Sequence, residues 1–374
     1  MNVLYVTHHY LYMNGGASFA TSAIVNAFAE LSDSVTLLFP AKDNSQLGKI
    51  DKRVKQIPTI DRRNRISKLY NVYIGNIHRF NGVFEEVLSS HDFDLVVFDN
   101  CIVSYKLVKI AKEKGKKIIT VHHNYQVEIV RDNTPWYTKA PMLYWVGKAE
   151  AEAVIGSDIN ITLTHQDKES LHKHYSENAK IEVLGIFEYA RRERPVLQKR
   201  ISNKDGRYLI TGDLSVKQTT DALYPWLNDV FPLLKTATGY KSLTIAGRNP
   251  QPKLYKYADD RSISIIASPK EMEPILENAD VYICSTGLGS GIKLRIMDGL
   301  KAGLPVITPT ASGRGYDSFI NRCIFTYNSK NDFISAVTKA NKCNMTKNEI
   351  INEYFDYFSF TSGIKRLNNI LSKL

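Results

Sequence analysis

The stretch from Ala279 to Tyr316, ADVYICSTGLGSGIKLRIMDGLKAGLPVITPTASGRGY, places a short apolar strand, a glycine-rich turn, a helix and a second apolar strand in succession. Val281 to Cys284 is the first strand. Gly287, Gly289 and Gly291 then alternate with small residues until the helical spacing of Ile292, Leu294, Met297 and Leu300 takes over. Glycines leave backbone amides bare, and the positive end of a helix dipole lies behind them, so the turn is a ready anion site. Lys293, expected in the first turn of that helix, opposes the dipole unless an anion meets it. Asp298, five residues further on, is within reach of a ribose beyond the phosphates. A tight turn that uses its glycines only for geometry is the alternative reading. GLGSGIK lacks the third glycine of GxGxxG, which disfavours a nicotinamide site.

A chain of 374 residues is long enough for two domains, each with its own core. Hydrophobic residues make up 43% and charged residues 23%, with no low-complexity tract, which excludes a disordered chain. No apolar run approaches the roughly 20 residues that span a bilayer. MNVLYVTHHYLY has no basic leader and reads as a strand rather than a signal peptide, so a cytoplasmic protein is expected. Cys101, Cys284, Cys323 and Cys343 form no CxxC pair, which argues against a disulfide framework and a structural zinc site.

The formal charge of +11 calls for an acidic partner. Basic residues cluster at Lys52 to Lys55, Arg62 to Lys68, Lys106 to Lys117 and Arg191 to Arg194. Between Ile60 and Phe80 arginines mix with Ile66, Leu69, Tyr70, Val72, Tyr73 and Ile77. That pattern suits a solvated helix packed by its apolar side, or one lying on an anionic membrane. No base-reading motif is present, so no nucleic-acid partner is expected.

Strands at Asn2 to Thr7, Ser34 to Phe39, Asp94 to Asp99, Lys117 to Val121 and Asn160 to Leu163 alternate with helices at Ala17 to Leu31, Ile102 to Lys114 and Pro141 to Ile155. Apolar strands without polar alternation indicate a parallel sheet covered on both faces. After a charged pause the alternation restarts. Strands are expected at Tyr208 to Thr211, Ser242 to Ala246, Ser262 to Ile266 and Val306 to Thr308, and helices at Thr219 to Leu234, Lys270 to Asn278, Asp332 to Asn341 and Lys347 to Phe355. The reading is α/β, two doubly wound Rossmann-like domains with the ligand between them at the strand carboxyl ends. The expected boundaries are an N-terminal domain over 1–187, a linker over 188–206, a C-terminal domain over 207–355 and a closing helix in 356–374 that packs back on the N-terminal domain.

These residues resemble retaining glycosyltransferases of the GT-B fold, in particular the family 4, or group 1, enzymes. That family carries two acids separated by seven residues, followed by a short helical stretch ending in Gly-x-Pro-Val. SGIKLRIMDGLKAGLPV fits the frame, with Asp298 on the second acid and Gly303, Pro305 and Val306 on the tail. Ser290 stands where the first acid is usual, in a GxGxK form of the donor loop. TGDLSVKQTTDAL, with Gly212 and Lys217, is similar to the family's Gly-Ser-Leu-x-x-Lys turn, and Asp213 takes the place of a frequent arginine. Gly15-Gly16 matches the glycine loop of the first domain. TVHHNYQ matches the strand end where the family places a histidine, at His122 or His123.

The resemblance implies two domains facing each other across a cleft, and a retaining transferase that uses a UDP- or GDP-linked sugar and no metal or other cofactor. It implies catalytic roles for His123, His122, Lys217 and Lys293. Donor contacts would come from Gly15, Gly16, Gly212, Arg248, Gly289, Ser290, Gly291, Ile292 and Asp298. With the basic first half, it points to a lipid-linked or surface-polysaccharide acceptor at the inner face of the cell membrane. A degenerate member that binds nucleotide or polyanion without turnover is the second reading, suggested by Ser290 and Asp213.

Overall fold

Runs such as Leu95-Val96-Val97-Phe98 have no polar face to offer solvent, so they must lie in a sheet covered on both sides. The computed structural model describes residues 1–12, 15–41, 47, 49–60, 64–78, 80, 82–194, 206–237, 239–287 and 291–374. Its strands form two sheets, parallel throughout. The chain divides into two compact units, Met1–Arg192 with Tyr357–Leu374, and Glu193–Asp356.

In chain order the first unit runs β1 (Asn2–Thr7), α1 (Gly16–Leu31), β2 (Ser34–Ala41), β3 (Lys55–Ile60), α2 (Arg65–Tyr73), α3 (Val83–Ser90), β4 (Leu95–Asp99), α4 (Cys101–Ser104), α5 (Leu107–Glu113), β5 (Lys117–His122), α6 (Gln126–Asn133), α7 (Trp136–Gly156), β6 (Ile159–Thr162), α8 (His165–His174) and β7 (Ile181–Val183). Its sheet order is β3-β2-β1-β4-β5-β6-β7. Leu4, Val6, Phe84, Phe98, Val103 and Ile118 anchor the core on one face of this sheet.

The second unit runs β8 (Arg207–Asp213), α9 (Lys217–Asp229), α10 (Phe231–Thr236), β9 (Ser242–Arg248), β10 (Ile263–Ala267), α11 (Glu273–Glu277), β11 (Val281–Ile283), α12 (Leu294–Lys301), β12 (Val306–Pro309), β13 (Ile324–Tyr327) and α13 (Lys330–Asn341). Its sheet order is β10-β9-β8-β11-β12-β13. The helix α14 (Lys347–Phe358) then leads into α15 (Phe360–Leu371), which belongs to the first unit. There α15 packs on α1 and buries Phe360, Gly363, Leu367 and Ile370. Arg366 Nε and Nη2 donate to the Leu184 and Ile186 carbonyls at 2.7 and 3.3 Å.

In each sheet the strand order reverses once, between β1 and β4 and between β8 and β11. The connections on either side of such a point run to opposite faces, and the crevice left at the strand carboxyl ends is where ligands bind in this class of fold.

Several expected elements take a different form. The helix expected over Ile102 to Lys114 is two helices, because Lys106 adopts φ 65° and its N–H donates to Glu152 Oε1 at 2.6 Å. The helix expected over Thr219 to Leu234 starts at Lys217 and breaks at Val230, where Pro232 removes a backbone donor and crowds the preceding turn. The helix expected over Lys270 to Asn278 shrinks to α11, with Pro274 in its first turn. The strand β3 was hidden by its polar composition and by Pro58, which a sheet tolerates at an edge. Among the described residues no helix is long and apolar enough to cross a membrane.

Candidate active site

In the first unit, the switch point brings together residues nearly a hundred positions apart. Thr7 ends β1, Asp99 ends β4, and the two are register partners. Asp99 is fully buried. Its Oδ2 accepts hydrogen bonds from Thr7 Oγ1 at 2.7 Å and from Thr21 Oγ1 of α1 at 2.6 Å, and its Oδ1 lies 2.6 Å from His123 Nε2. Burial pushes this carboxyl up, but the charges of His123 and His9 and the bonds from His123 and Thr21 outweigh it, leaving it well below the usual carboxylate range. Asp99 is therefore an anion with its lone pairs directed by neighbours. It accepts the Nε2 proton of His123, and in the neutral ring that leaves Nδ1 as the acceptor.

His9 completes the cluster. Its ring lies 4.9 Å from that of His123, centroid to centroid, and 4.1 Å from that of His8. His9 Nε2 is buried without a hydrogen-bond partner, and burial, with the nearby charges of His8 and His123, holds this imidazole well below its ordinary pKa. His9, Asp99 and His123 each offer a ligand atom, all within 4.8 Å of one another. They could hold a divalent cation. The 2.6 Å separation of Asp99 Oδ1 and His123 Nε2 is nevertheless that of a hydrogen bond. Two ligands on a tetrahedral ion at about 2.0 Å stand roughly 3.3 Å apart.

His122 turns elsewhere. Its Nε2 lies 3.0 Å from Asn160 Oδ1, while Asn160 Nδ2 donates to the Val154 carbonyl at 2.9 Å. Burial, with the His123 charge adding to it, depresses His122 to about 4 even though the Asn160 bond favours the proton. Gly15 and Gly16 form the N-terminus of α1, with Gly16 as its first residue and open space where a Cβ would point.

A second buried acid lies in the same unit. Glu150 Oε1 accepts the Gln126 N–H at 2.7 Å and Oε2 accepts the Tyr175 hydroxyl at 2.9 Å, and burial, with the Asp167 charge adding to it, raises it to about 7. The signs of the two shifts oppose. The depressed His122 gives stability that is complete above its ordinary value of 6.5 and lost as pH falls toward 4. The raised Glu150 gives stability that is complete below 4.5 and lost as pH rises through 7. Each slope is about 1.4 kcal/mol per pH unit, so the pair cancels across the shared window. Glu150→Gln is expected to uncover the His122 slope, with urea midpoints climbing from pH 4.5 to 6.5 more steeply than in the wild type. Parallel midpoint curves for the two proteins would refute this pairing.

In the second unit basic side chains gather beside the end of β8. Gly212 and Asp213 end β8 and pair in register with Gly247 and Arg248 of β9. Arg248 lies 3.6 Å from Asp213 Oδ2. Arg295, in the first turn of α12, donates to Thr219 Oγ1 at 2.5 Å. Its guanidinium passes so close to the β8 backbone that a Cβ on Gly212 would lie 2.6 Å from its central carbon. Gly212 thus makes room for a cation over a strand end. Gly291 is buried with φ 82°, a left-handed conformation that glycine takes at no steric cost.

Lys293 is the N-cap residue of α12, one position before the first helical turn in which the sequence placed it. Its carbonyl accepts the Tyr316 hydroxyl at 2.9 Å. Burial lowers its ammonium below the ordinary lysine range, and the neighbouring charge of Arg314 acts in the same direction. Ile292 beside it is half-buried. Asp298 lies on α12 and is exposed; its charge adds to the burial that raises the Tyr282 phenol. Lys217 begins α9 with its side chain 88% exposed and bonded along its own helix to Asp221 Oδ2 at 2.6 Å. Gly289 and Ser290 lie outside the described residues.

Sequence reasoning missed Asp99, Thr21, His9 as a partner of His123, Arg295 and Arg314. An acid closing an apolar strand next to the switch point was the available signal for Asp99. Arg295 carried none, because LRIMD reads as one polar face of a helix.

Residues 205–341 match the family described as Glycosyl transferases group 1. No curated protein matches. Among solved structures, the apo lipopolysaccharide outer core galactosyltransferase WaaB aligns with a TM-score of 0.70 at 14% identity, covering 100% of each chain. WaaG, a glycosyltransferase involved in lipopolysaccharide biosynthesis, aligns with a TM-score of 0.63 at 14% identity, covering 98% of this chain and 99% of its own. HepE of Anabaena in complex with UDP-glucose gives 0.62 at 10% identity, with both chains covered to 100%. With its two parallel sheets, their strand orders and these alignments, the chain has the fold of the GT-B glycosyltransferases, and its residues 205–341 match the glycosyl transferases group 1 family.

Proposed function

We propose that the chain transfers a sugar from a nucleoside-diphosphate donor, UDP- or GDP-linked, to a lipid-linked or surface-polysaccharide glycan, with retention at the anomeric carbon and without a metal. The observation that carries this reading is the basic surroundings of the β8 end and of α12: Arg248 and Arg295 both act on Asp213, and Arg314 acts on Lys293 at the N-cap of α12. Cations gathered in this way suit a diphosphate. Proteins of similar fold bind UDP-glucose or act in lipopolysaccharide biosynthesis, which supports the donor and acceptor classes.

In the proposed reaction the bond from the sugar C1 to the β-phosphate oxygen breaks and its electron pair goes to the phosphate. The acceptor hydroxyl forms the new bond to C1 on the face that the phosphate leaves, and its proton passes to that phosphate. Lys293 and the backbone N–H groups of Gly291 and Ile292 are assigned to stabilise the departing charge, an effect of up to several kcal/mol. Asp298 is assigned to the donor ribose. His123, with its tautomer set by Asp99, is assigned to the transferred sugar, and Gly15-Gly16 to the donor phosphate. Lys217 reaches the phosphates by releasing Asp221.

A panel of UDP- and GDP-sugars, read by nucleotide release and by NMR of the product anomer, tests the proposal. Inverted product removes retention. Tight nucleotide binding with no turnover on any glycan acceptor establishes the degenerate reading instead. Gly212→Ala is expected to displace the Arg295 guanidinium and weaken donor binding about tenfold, the worth of one charge-assisted hydrogen bond. Calorimetric titration with the free nucleotide checks it.

A further inference from the structure

The helix α2 is amphipathic in the wrong sense for a soluble protein. Ile66, Leu69, Tyr70, Tyr73 and Ile74 recur at i, i+3, i+4, i+7 and i+8, the spacing that normally faces a core. Here this stripe faces out: Ile66 is 80% exposed, Tyr70 64% and Tyr73 53%. The buried residue of α2 is Asn71. Beside it the start of α7 adds Trp136 at 86%, with Tyr137 and Tyr144 more than half exposed.

The two helices are fixed to each other. Pro141 lies inside α7 and has no N–H, so the carbonyl of Tyr137, four residues before it, lacks its helical donor. The Tyr73 hydroxyl donates to that carbonyl at 2.7 Å. In return Trp145 Nε1 donates to the Tyr73 carbonyl at 3.3 Å, and the indole lies flush against Gly75, where a Cβ would come within 2.7 Å of the ring. The apolar stripe of α2 and the aromatic start of α7 therefore form one surface held in a set orientation.

Its charge identifies the occupant. Residues 64–78 and 134–148 contain no Asp or Glu, while Arg65, Lys68, Lys139 and Lys148 stand among the aromatic side chains. Lys148 Nζ lies 4.7 Å from the centre of the Tyr144 ring. A second copy of the chain would set these cations against themselves, with no acid in either stretch to answer them. Trp and Tyr favour the level of lipid headgroups, and Lys and Arg beside them are drawn to anionic lipid.

We propose that α2 and the N-terminal half of α7 form a docking surface for the headgroup region of an anionic lipid bilayer. Ile66, Tyr70 and Trp136 enter the interface, and the cations around them meet lipid phosphates. This surface is independent of the sugar donor, so its test needs no transfer reaction.

The full chain is co-sedimented with vesicles of phosphatidylglycerol and phosphatidylcholine, and with phosphatidylcholine alone, at low and high salt. Binding is expected on the anionic vesicles at low salt, weakened at high salt, with a blue shift of tryptophan emission that Trp136→Phe removes. Tyr70→Ala with Trp136→Ala, and Arg65→Glu with Lys68→Glu, are each expected to weaken binding about tenfold or more. All four positions lie on the exposed surface, and unchanged thermal midpoints show that folding is intact. The proposal is overturned if the wild type ignores anionic vesicles at low salt, if neither double variant weakens binding, or if the variants abolish a self-association instead.

Discussion

Replacing Asp99 by asparagine is expected to reduce transfer by about two orders of magnitude or more and to destabilise the first unit by about 3 kcal/mol. Both effects have one origin. The Asp99 carboxylate is fully buried and holds two threonine hydroxyls and the His123 ring. An amide of the same shape has one acceptor oxygen and two N–H donors, so it must turn a donor toward either the threonines or the imidazole. If the donor meets Nε2, His123 takes the other tautomer and Nδ1 ceases to be an acceptor. Urea denaturation reads the stability loss, and steady-state kinetics read the catalytic one. A variant that loses stability but keeps kcat per folded molecule would reduce Asp99 to a packing role.

Replacing Lys293 by methionine is expected to act in the opposite way on stability. Burial lowers the Lys293 ammonium, with the Arg314 charge adding to it, which means that the folded state disfavours this charge. Methionine keeps the length and removes the charge, so the folded protein should be as stable as the wild type or more so. Transfer should fall by about 10²- to 10³-fold through kcat, because stabilisation of a departing diphosphate is needed in the transition state and little in the ground state. A higher KM at unchanged kcat would make Lys293 a binding residue only. Loss of stability would contradict the reading of its burial.

The two substitutions also mark how far the sequence can be read. Apolar runs such as Val3 to Val6 and Leu95 to Phe98, separated by helical spacing, are visible without any structure because a sheet buried on both faces permits no polar alternation. The helix α12 announces itself in a similar way, in the spacing of Leu294, Met297 and Leu300. Asp99 does not, because its meaning comes from Thr7, 92 residues earlier, and from the strand order that sets β1 beside β4. Arg295 is hidden similarly, since nothing local says that Gly212 lies open beneath it. The stripe on α2 was legible as a stripe. Its direction was not, because 3.6-residue spacing fixes which residues share a face but not what that face meets.

The helix α15 has a consequence for how the protein is made. It supplies part of the first unit, yet it is synthesised after every residue of the second. The second unit can therefore complete its sheet on the emerging chain while α1 still lacks its partner and the Leu184 and Ile186 carbonyls still lack Arg366. The N-terminal half, first to leave the ribosome, is the last to close. Messages truncated before Phe360 would yield a finished second unit attached to a first one with apolar surface still exposed, the kind of product that chaperones and proteases recognise.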